Sequence, residues 1–225
     1  MFSFYYEELC SKGEVVVTGD SFHHLARVGR VKVADSLFLT NGRGLTAKAS
    51  VTAISKKELT LKVEKVDEVE DTREDLILCL GLPKKDYLSS CLRSVCEFQL
   101  KKLVIMQTEY SNGPLPKKDR IRSILTQALE QTKGAYMPEF VFSSFDEAIK
   151  SSSGRAIVLL DQNGTSTGLN QKNFVSAFIG PEGGFSPREL EQLEQQKIQK
   201  ISLSPSILRT VTAVPAFLGA FRAQS

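Results

Sequence analysis

The chain runs to 225 residues, 41% hydrophobic and 24% charged, with a formal net charge of +3; one large or two modest folded domains fit that length. No stretch approaches the roughly 20 apolar residues that span a bilayer. The opening MFSFYYEELCSKGE has no basic segment leading into an apolar run, so neither membrane insertion nor a secretory signal is expected. Four cysteines (Cys10, Cys79, Cys91, Cys96) lack the spacing of a metal site or disulfide framework. They read as reduced, mostly buried thiols of a cytoplasmic protein, and no metal is expected.

The charge is unevenly placed. Residues 1–65 sum to +3, residues 66–75 (VDEVEDTRED) to −5, and residues 76–225 to +5. An acidic connector between two mildly basic blocks marks a boundary near residue 70, giving domains of 1–70 and 71–225. Such basicity permits a nucleic-acid partner without requiring one.

Ahead of the boundary the pattern is β. Glu14–Val17 and Ser36–Leu39 read as short strands, and Thr46–Thr52 and Leu59–Glu64 alternate with period 2 around a turn at Ser55-Lys56-Lys57. Asn41-Gly42 is a second turn signal. Several short strands in that length suggest a small barrel. The adjacent His23 and His24 are expected on opposite faces of a strand.

Beyond the boundary, apolar runs at Leu76–Leu82, Leu103–Gln107, Ala156–Leu160, Ser176–Ile179 and Lys200–Leu203 alternate with helical segments. That predicts an α/β domain with a largely parallel sheet. Leu88, Cys91, Leu92, Val95 and Cys96 have helical spacing. Ile121, Ile124, Leu125 and Ala128 share the face of a helix expected to end at Gly134. Asp161–Gly168 is a polar loop, and Ser186-Pro187-Arg188-Glu189 a capping box with proline in the first turn.

The most informative stretch is residues 178–213. A strand enters Gly180-Pro181-Glu182-Gly183-Gly184-Phe185, the capped helix follows, and a second strand enters Leu203-Ser204-Pro205-Ser206-Ile207-Leu208-Arg209-Thr210. Glycines let a backbone approach a ligand closely, and both loops would leave one edge of a parallel sheet, where small molecules bind. On spacing alone, a tight turn with no ligand is the commoner reading of the first loop.

IGPEGGFS followed by LSPSILRTVTA resembles the SPOUT methyltransferases, and most of all the RsmE type, which methylates N3 of a uridine in 16S ribosomal RNA. The resemblance runs through the whole chain and weakens in the middle. It implies a C-terminal α/β trefoil-knot domain that binds S-adenosylmethionine (AdoMet) and an N-terminal PUA-like β-barrel that binds RNA. A knot is so rare that no propensity argument reaches it. It also implies a homodimer, through the knot and the last helix, and a threaded loop at Asp161–Gly168. AdoMet contacts fall on Leu160 and the loop after it, on Ile179, Gly180, Glu182, Gly183 and Gly184, and on Leu203, Ser204, Ile207 and Leu208. Glu182 reads equally as a fold residue.

Arg209 is the expected catalytic residue, because a guanidinium beside the uracil carbonyl oxygens would stabilise the charge that develops as N3 loses its proton. Its alternative is a phosphate anchor or surface cation. In the N-terminal block His23-His24-Leu25 followed by Arg27, Arg30 and Lys32 matches the family's barrel pattern. With Arg43, these cations are RNA-contact candidates; a solvated basic face is the alternative.

Several family charges are missing. The family's Gln-Lys-Ala-Thr-Glu-Leu-Gly is Arg93-Ser94-Val95-Cys96-Glu97-Phe98-Gln99 here, and Tyr110, Gly134 and Ser206 stand where it has arginines. Val211 replaces a glutamate next to Arg209-Thr210. Lys101, Lys102, Lys117, Lys118 and Lys133 are available as replacements, though point charges do not reproduce arginine forks. Two further readings therefore stay open: a relative that binds RNA or the ribosome with little methyl transfer, and an enzyme with another RNA target.

Overall fold

The computed structural model describes residues 1–165 and 174–223, apart from the side chains of Arg27 and Val28. It divides into two compact units, Met1–Thr72 with Thr126–Met137, and Arg73–Leu125 with Pro138–Ser225.

The first unit is built on strands β1 (Phe2–Tyr5), β2 (Gly13–Thr18), β3 (Ser36–Thr40), β4 (Leu45–Ile54) and β5 (Glu58–Glu68), in sheet order β1-β3-β4-β5-β2. The β1–β3 pair is parallel and the others antiparallel. Alternation puts Ala47, Ala49 and Val51 of β4, and Leu59, Leu61 and Val63 of β5, into one core with Leu37 and Leu39. At the Asn41-Gly42 turn the Asn41 Oδ1 accepts the amides of Arg43 at 2.8 Å and Leu45 at 3.0 Å, and Gly42 takes φ +67°.

The histidine pair is not on a strand. Gly19, at φ +61°, turns β2 into the short helix α1 (Gly19–His23), and a π-helical turn covers His24–Val28. Phe22 and Leu25 are both buried in the barrel-side core. Residues three apart share a helical face, whereas on a strand they would point oppositely. Glu130 lies in the same unit; its carboxylate accepts the Tyr5 amide at 2.9 Å and sits 3.6 Å from His24 Nε2. Burial pushes the Glu130 carboxyl up, against the pull of the Tyr5 amide and His24.

The second unit holds β6 (Leu76–Gly81), α2 (Lys85–Glu97), β7 (Lys102–Gln107), β8 (Glu139–Ser144), α4 (Phe145–Ser151), β9 (Ala156–Thr165), β10 (Val175–Ile179), α5 (Pro187–Glu194), β11 (Gln199–Ile201) and α6 (Thr210–Ala223). Helix α3 (Lys118–Thr132) precedes β8, and its residues from Thr126 group with the first unit. The six strands run parallel in the order β11-β9-β10-β6-β7-β8. The chain moves outward from β6 to β8, crosses to β9, and returns to insert β10 between β9 and β6. That reversal creates a switch point at the carboxyl ends of β9, β10 and β6. Every residue of β6 and of β10 is buried, which explains their unbroken apolar runs.

The polar loop is partly strand, since Asp161–Thr165 extends β9. Its remainder, 166–168, and with it the threading expected of that loop, lies outside the described residues. Pro215 falls in the second turn of α6, where its ring removes the amide that Val211 O would otherwise accept.

Two helices end on non-glycine residues in the left-handed conformation. At α2 the Leu100 amide donates to Val95 O at 2.9 Å and the Gln99 amide to Cys96 O at 3.0 Å, with Gln99 at φ +51°. At α3 the left-handed residue is Lys133, at φ +54°, rather than the expected Gly134. Both form the paired closing bonds of a Schellman ending, which favours glycine at that position. Left-handed backbone costs an L-residue about 1–2 kcal/mol, offset in part by glycine's greater freedom when unfolded. The exposed Gln99, replaced by glycine, is expected to raise stability by about 0.5–1 kcal/mol, read as a higher urea midpoint at unchanged slope.

Cys79, Cys91 and Cys96 are buried and Cys10 is exposed. Desolvation pushes each buried thiol up to about 12, aided at Cys91 by the Glu182 charge and at Cys96 by Glu97. In native protein at pH 8 a thiol reagent should therefore modify Cys10 quickly and the other three only after denaturant is added. Because these thiols hold their protons more tightly folded than unfolded, stability is present below the unfolded value near 9 and lost as pH rises from there toward 12.

Candidate active site

β10 delivers the chain into the glycine loop, whose shape follows from its neighbours. The Gly184 amide donates to Pro181 O at 2.9 Å, and Gly184 takes φ +71°. A Cβ on Gly183 would stand 3.0 Å from the Tyr110 Cβ, and one on Gly81, at the end of β6, would meet Pro181 Cδ at 2.5 Å. Bare backbone is thus required on both sides of the loop. Ser186 then caps α5, its hydroxyl accepting the Glu189 amide while Glu189 accepts the Ser186 amide. Glu189, only 3% exposed, uses its other oxygen to accept the Glu109 amide at 2.9 Å. One buried carboxylate so ties the loop after β7 to the start of α5.

Glu182 performs a similar task one loop away. Its carboxylate accepts the Lys84 amide at 3.2 Å and Asn112 Nδ2 at 2.8 Å. The Thr210 hydroxyl donates to Gly180 O at 3.1 Å, fastening the start of α6 to the same loop.

These loops enclose a cavity of about 450 Å³ at the carboxyl ends of β9, β10 and β11, within the roughly 300–1,000 Å³ range of small-molecule sites. Leu160, Ile179, Gly180, Glu182, Gly183 and Gly184 line it from one side, and Leu203, Ser204, Ile207 and Leu208 from the other. The structure therefore brings together all ten residues expected to hold the cofactor. The rest of the wall mixes apolar side chains such as Leu159, Phe185 and Ile201 with polar ones, among them Gln162, Asn163 and Ser202. Asp161 and Glu182 are its ionisable side chains, and no lysine or arginine lines it among the described residues. Ile207 stands at the rim 77% exposed.

Arg209 lies between two lining residues, Leu208 and Thr210, with its own side chain exposed. Its guanidinium stands 6.0 Å from the Tyr87 ring centroid and forms no ion pair among the described residues. Val211 is half-buried in the first turn of α6. Lys101 and Lys102 stand at the amino end of β7, the sheet edge away from the cavity, so they do not replace the missing charges there.

The four RNA candidates belong to the first unit. Arg30, at φ +48°, and Lys32 are exposed just past the π-helical turn. The side chain of Arg27 lies outside the described residues. Arg43 is exposed but donates to Glu7 O at 2.7 Å and faces Glu7 Oε1 at 3.8 Å.

Residues 70–222 match the family model of the RNA methyltransferase domain, and residues 17–64 that of the RNA methyltransferase PUA domain. The chain belongs to the RNA methyltransferase domain family. The resemblance read from residues 178–213 is thereby borne out. The ribosomal RNA small subunit methyltransferase E of Mycobacterium bovis is 26% identical, over 96% of this chain and 89% of its own. That of Bacillus subtilis is 24% identical, over 88% and 85%. Among solved structures, a probable rRNA-methyltransferase from Porphyromonas gingivalis has 25% identity and a TM-score of 0.80, covering 99% of this chain and 98% of its own. The small subunit methyltransferase E of Neisseria gonorrhoeae, crystallised bound to S-adenosyl methionine, has 22% identity and a TM-score of 0.86, covering 100% and 98%. The likeness of fold thus extends over both units, a PUA-like N-terminal part and a parallel-sheet methyltransferase part.

Tyr87 and Asn112 are residues around the site that the sequence did not single out, and Glu189 and Thr210 were read only as parts of a capping box and a loop. Glu189 carried a signal, its capping-box position, but its bond to Glu109 joins elements far apart in the chain. Tyr87 and Asn112 carried none.

Proposed function

We propose that this chain methylates N3 of a uridine in the 16S ribosomal RNA of the small subunit, using AdoMet. The observation that carries the reading is the cavity itself, a glycine-walled pocket with two carboxylates and no cation in its described lining, bordered by an exposed arginine that forms no ion pair among the described residues. AdoMet is a net cation whose adenine edge needs hydrogen bonds and whose sulfonium repels fixed positive charge; backbone groups of the Ile179–Gly184 and Leu203–Leu208 loops suit the first need and the lining charge the second. The relatives named above support the RNA class of substrate.

AdoMet supplies an electrophilic methyl group: as the N3–C bond forms, the C–S bond breaks and sulfur keeps the electron pair. Arg209 faces the uracil oxygens and stabilises the anionic ring as the N3 proton passes to solvent. The glycine loop and the Leu203–Leu208 loop hold the methyl donor against the base, removing translational freedom from the encounter. Arg27, Arg30, Lys32 and Arg43 contact phosphates and set register without reading sequence. We extend the proposal to a homodimer, supported by the exposed Ile207 at the rim and the apolar α6, and to a cytoplasmic location, where a ribosomal RNA substrate would be met.

A second reading, a binding relative with little transfer, is favoured by Val211 and Ser206 standing where the family has charges. Incubation with labelled AdoMet separates the two. Incorporation into small subunits but not large ones is expected. Tight AdoMet binding with no incorporation into any RNA would sink the enzyme and leave the binding protein.

A further inference from the structure

We infer that Tyr87 is a positioning residue for Arg209, its ring holding the guanidinium in the orientation that meets the substrate base. The inference rests on the proposed role of Arg209 and adds to it a second residue with no assigned part. Tyr87 lies in the first turn of α2, where a long side chain leans back over the helix start. Cys91, one turn on and on the same face, brings its Sγ within 4.0 Å of Thr210 O. One face of α2 therefore meets the chain twice where it enters α6, Cys91 at Thr210 and Tyr87 at Arg209 just before it. Thr210 is itself bonded to the glycine loop through Gly180 O.

The guanidinium stands 6.0 Å from the ring centroid, within the range of a cation–π contact. No carboxylate forms an ion pair with it among the described residues, and Val211 offers none from the next position but one. An exposed arginine carries many rotamers, and each one that leaves the site lowers the fraction of molecules ready to react. The aromatic face restrains that freedom while leaving all five N–H donors for the uracil oxygens. A carboxylate partner would occupy those same donors. Tyr87 thus does for this chain what an acidic neighbour could do only by competing with substrate.

The test uses Tyr87→Phe, which keeps the ring, and Tyr87→Met, which removes it at similar volume, each alone and with Arg209→Ala. Single-turnover methyl transfer to small subunits lacking the modification should fall about tenfold in Tyr87→Met and stay within about twofold in Tyr87→Phe. In the Arg209→Ala background Tyr87→Met should have no further effect, because its route to the reaction is already gone. AdoMet affinity by calorimetry should not change. Independently of activity, the Arg209 δ protons should show an upfield ring-current shift in wild type and Tyr87→Phe that is absent in Tyr87→Met. Equal losses from Tyr87→Met in both backgrounds, or equal losses from Phe and Met, would overturn the inference. So would the absence of the ring-current shift. If wild-type protein methylates no RNA, the functional reading falls instead, and the shift alone decides whether Tyr87 holds Arg209.

Discussion

Replacing Arg209 with alanine is expected to lower single-turnover methyl transfer by about 10²–10³-fold, the usual consequence of deleting one preorganised donor at a developing oxyanion. AdoMet affinity should stay within about twofold, because Leu208 and Thr210 line the cavity and the Arg209 side chain does not. Folding stability should move by no more than about 0.5 kcal/mol, since the side chain is exposed and forms no ion pair among the described residues. The pH dependence separates the two roles open to this arginine. If it stabilises the uracil anion, raising the pH supplies that anion from solution and narrows the gap between variant and wild type. If it anchors a phosphate, the gap persists at every pH and closes instead as RNA concentration rises.

The second large effect is on stability. Glu189→Ala is expected to destabilise the second unit by about 3 kcal/mol, seen as a lower urea midpoint. Glu189 is 3% exposed, and its carboxylate accepts the amides of Ser186 and Glu109, both at 2.9 Å. Removing it leaves two amides without partners at a buried helix start, and each charge-assisted bond contributes about 1.5–3 kcal/mol. Glu189→Gln keeps one acceptor oxygen and should lose roughly half as much. Because Glu109 precedes Tyr110, which backs Gly183, AdoMet affinity should fall along with stability. A variant with unchanged midpoint would show that α5 and the loop after β7 are held by other contacts.

Much of the site was legible in the sequence because its loops are written in glycine and its helix start in a capping box. Gly180, Gly183 and Gly184 allow the close backbone approaches and the positive φ that the loop needs, and Ser186 to Glu189 fix where α5 begins. β10, which leads into the glycine loop, is buried along its whole length and so reads as a plain apolar run. The misread segments failed for local reasons. His23 and His24 looked like strand because β2 precedes them, but Gly19's positive φ had already turned the chain. β8 and α4 were missed because strand meets helix without a turn: Ser144 both ends β8 and caps α4. Gly134 was expected to end α3, and the chain placed the left-handed residue one position earlier at Lys133. The contacts of Tyr87 with Arg209, and of Glu189 with Glu109, join residues that no local pattern relates. They arise from the order of strands in the sheet, which periodicity does not encode.

The central claim is methylation of a single uridine at N3. Small subunits from a strain lacking the gene would be incubated with the purified chain and labelled AdoMet, and the 16S RNA digested for nucleoside mass spectrometry and mapped. One N3-methyluridine at one position, absent with Arg209→Ala over the same interval, is the predicted result. Label on another base, or no label from protein that binds AdoMet in the same tube, would contradict it.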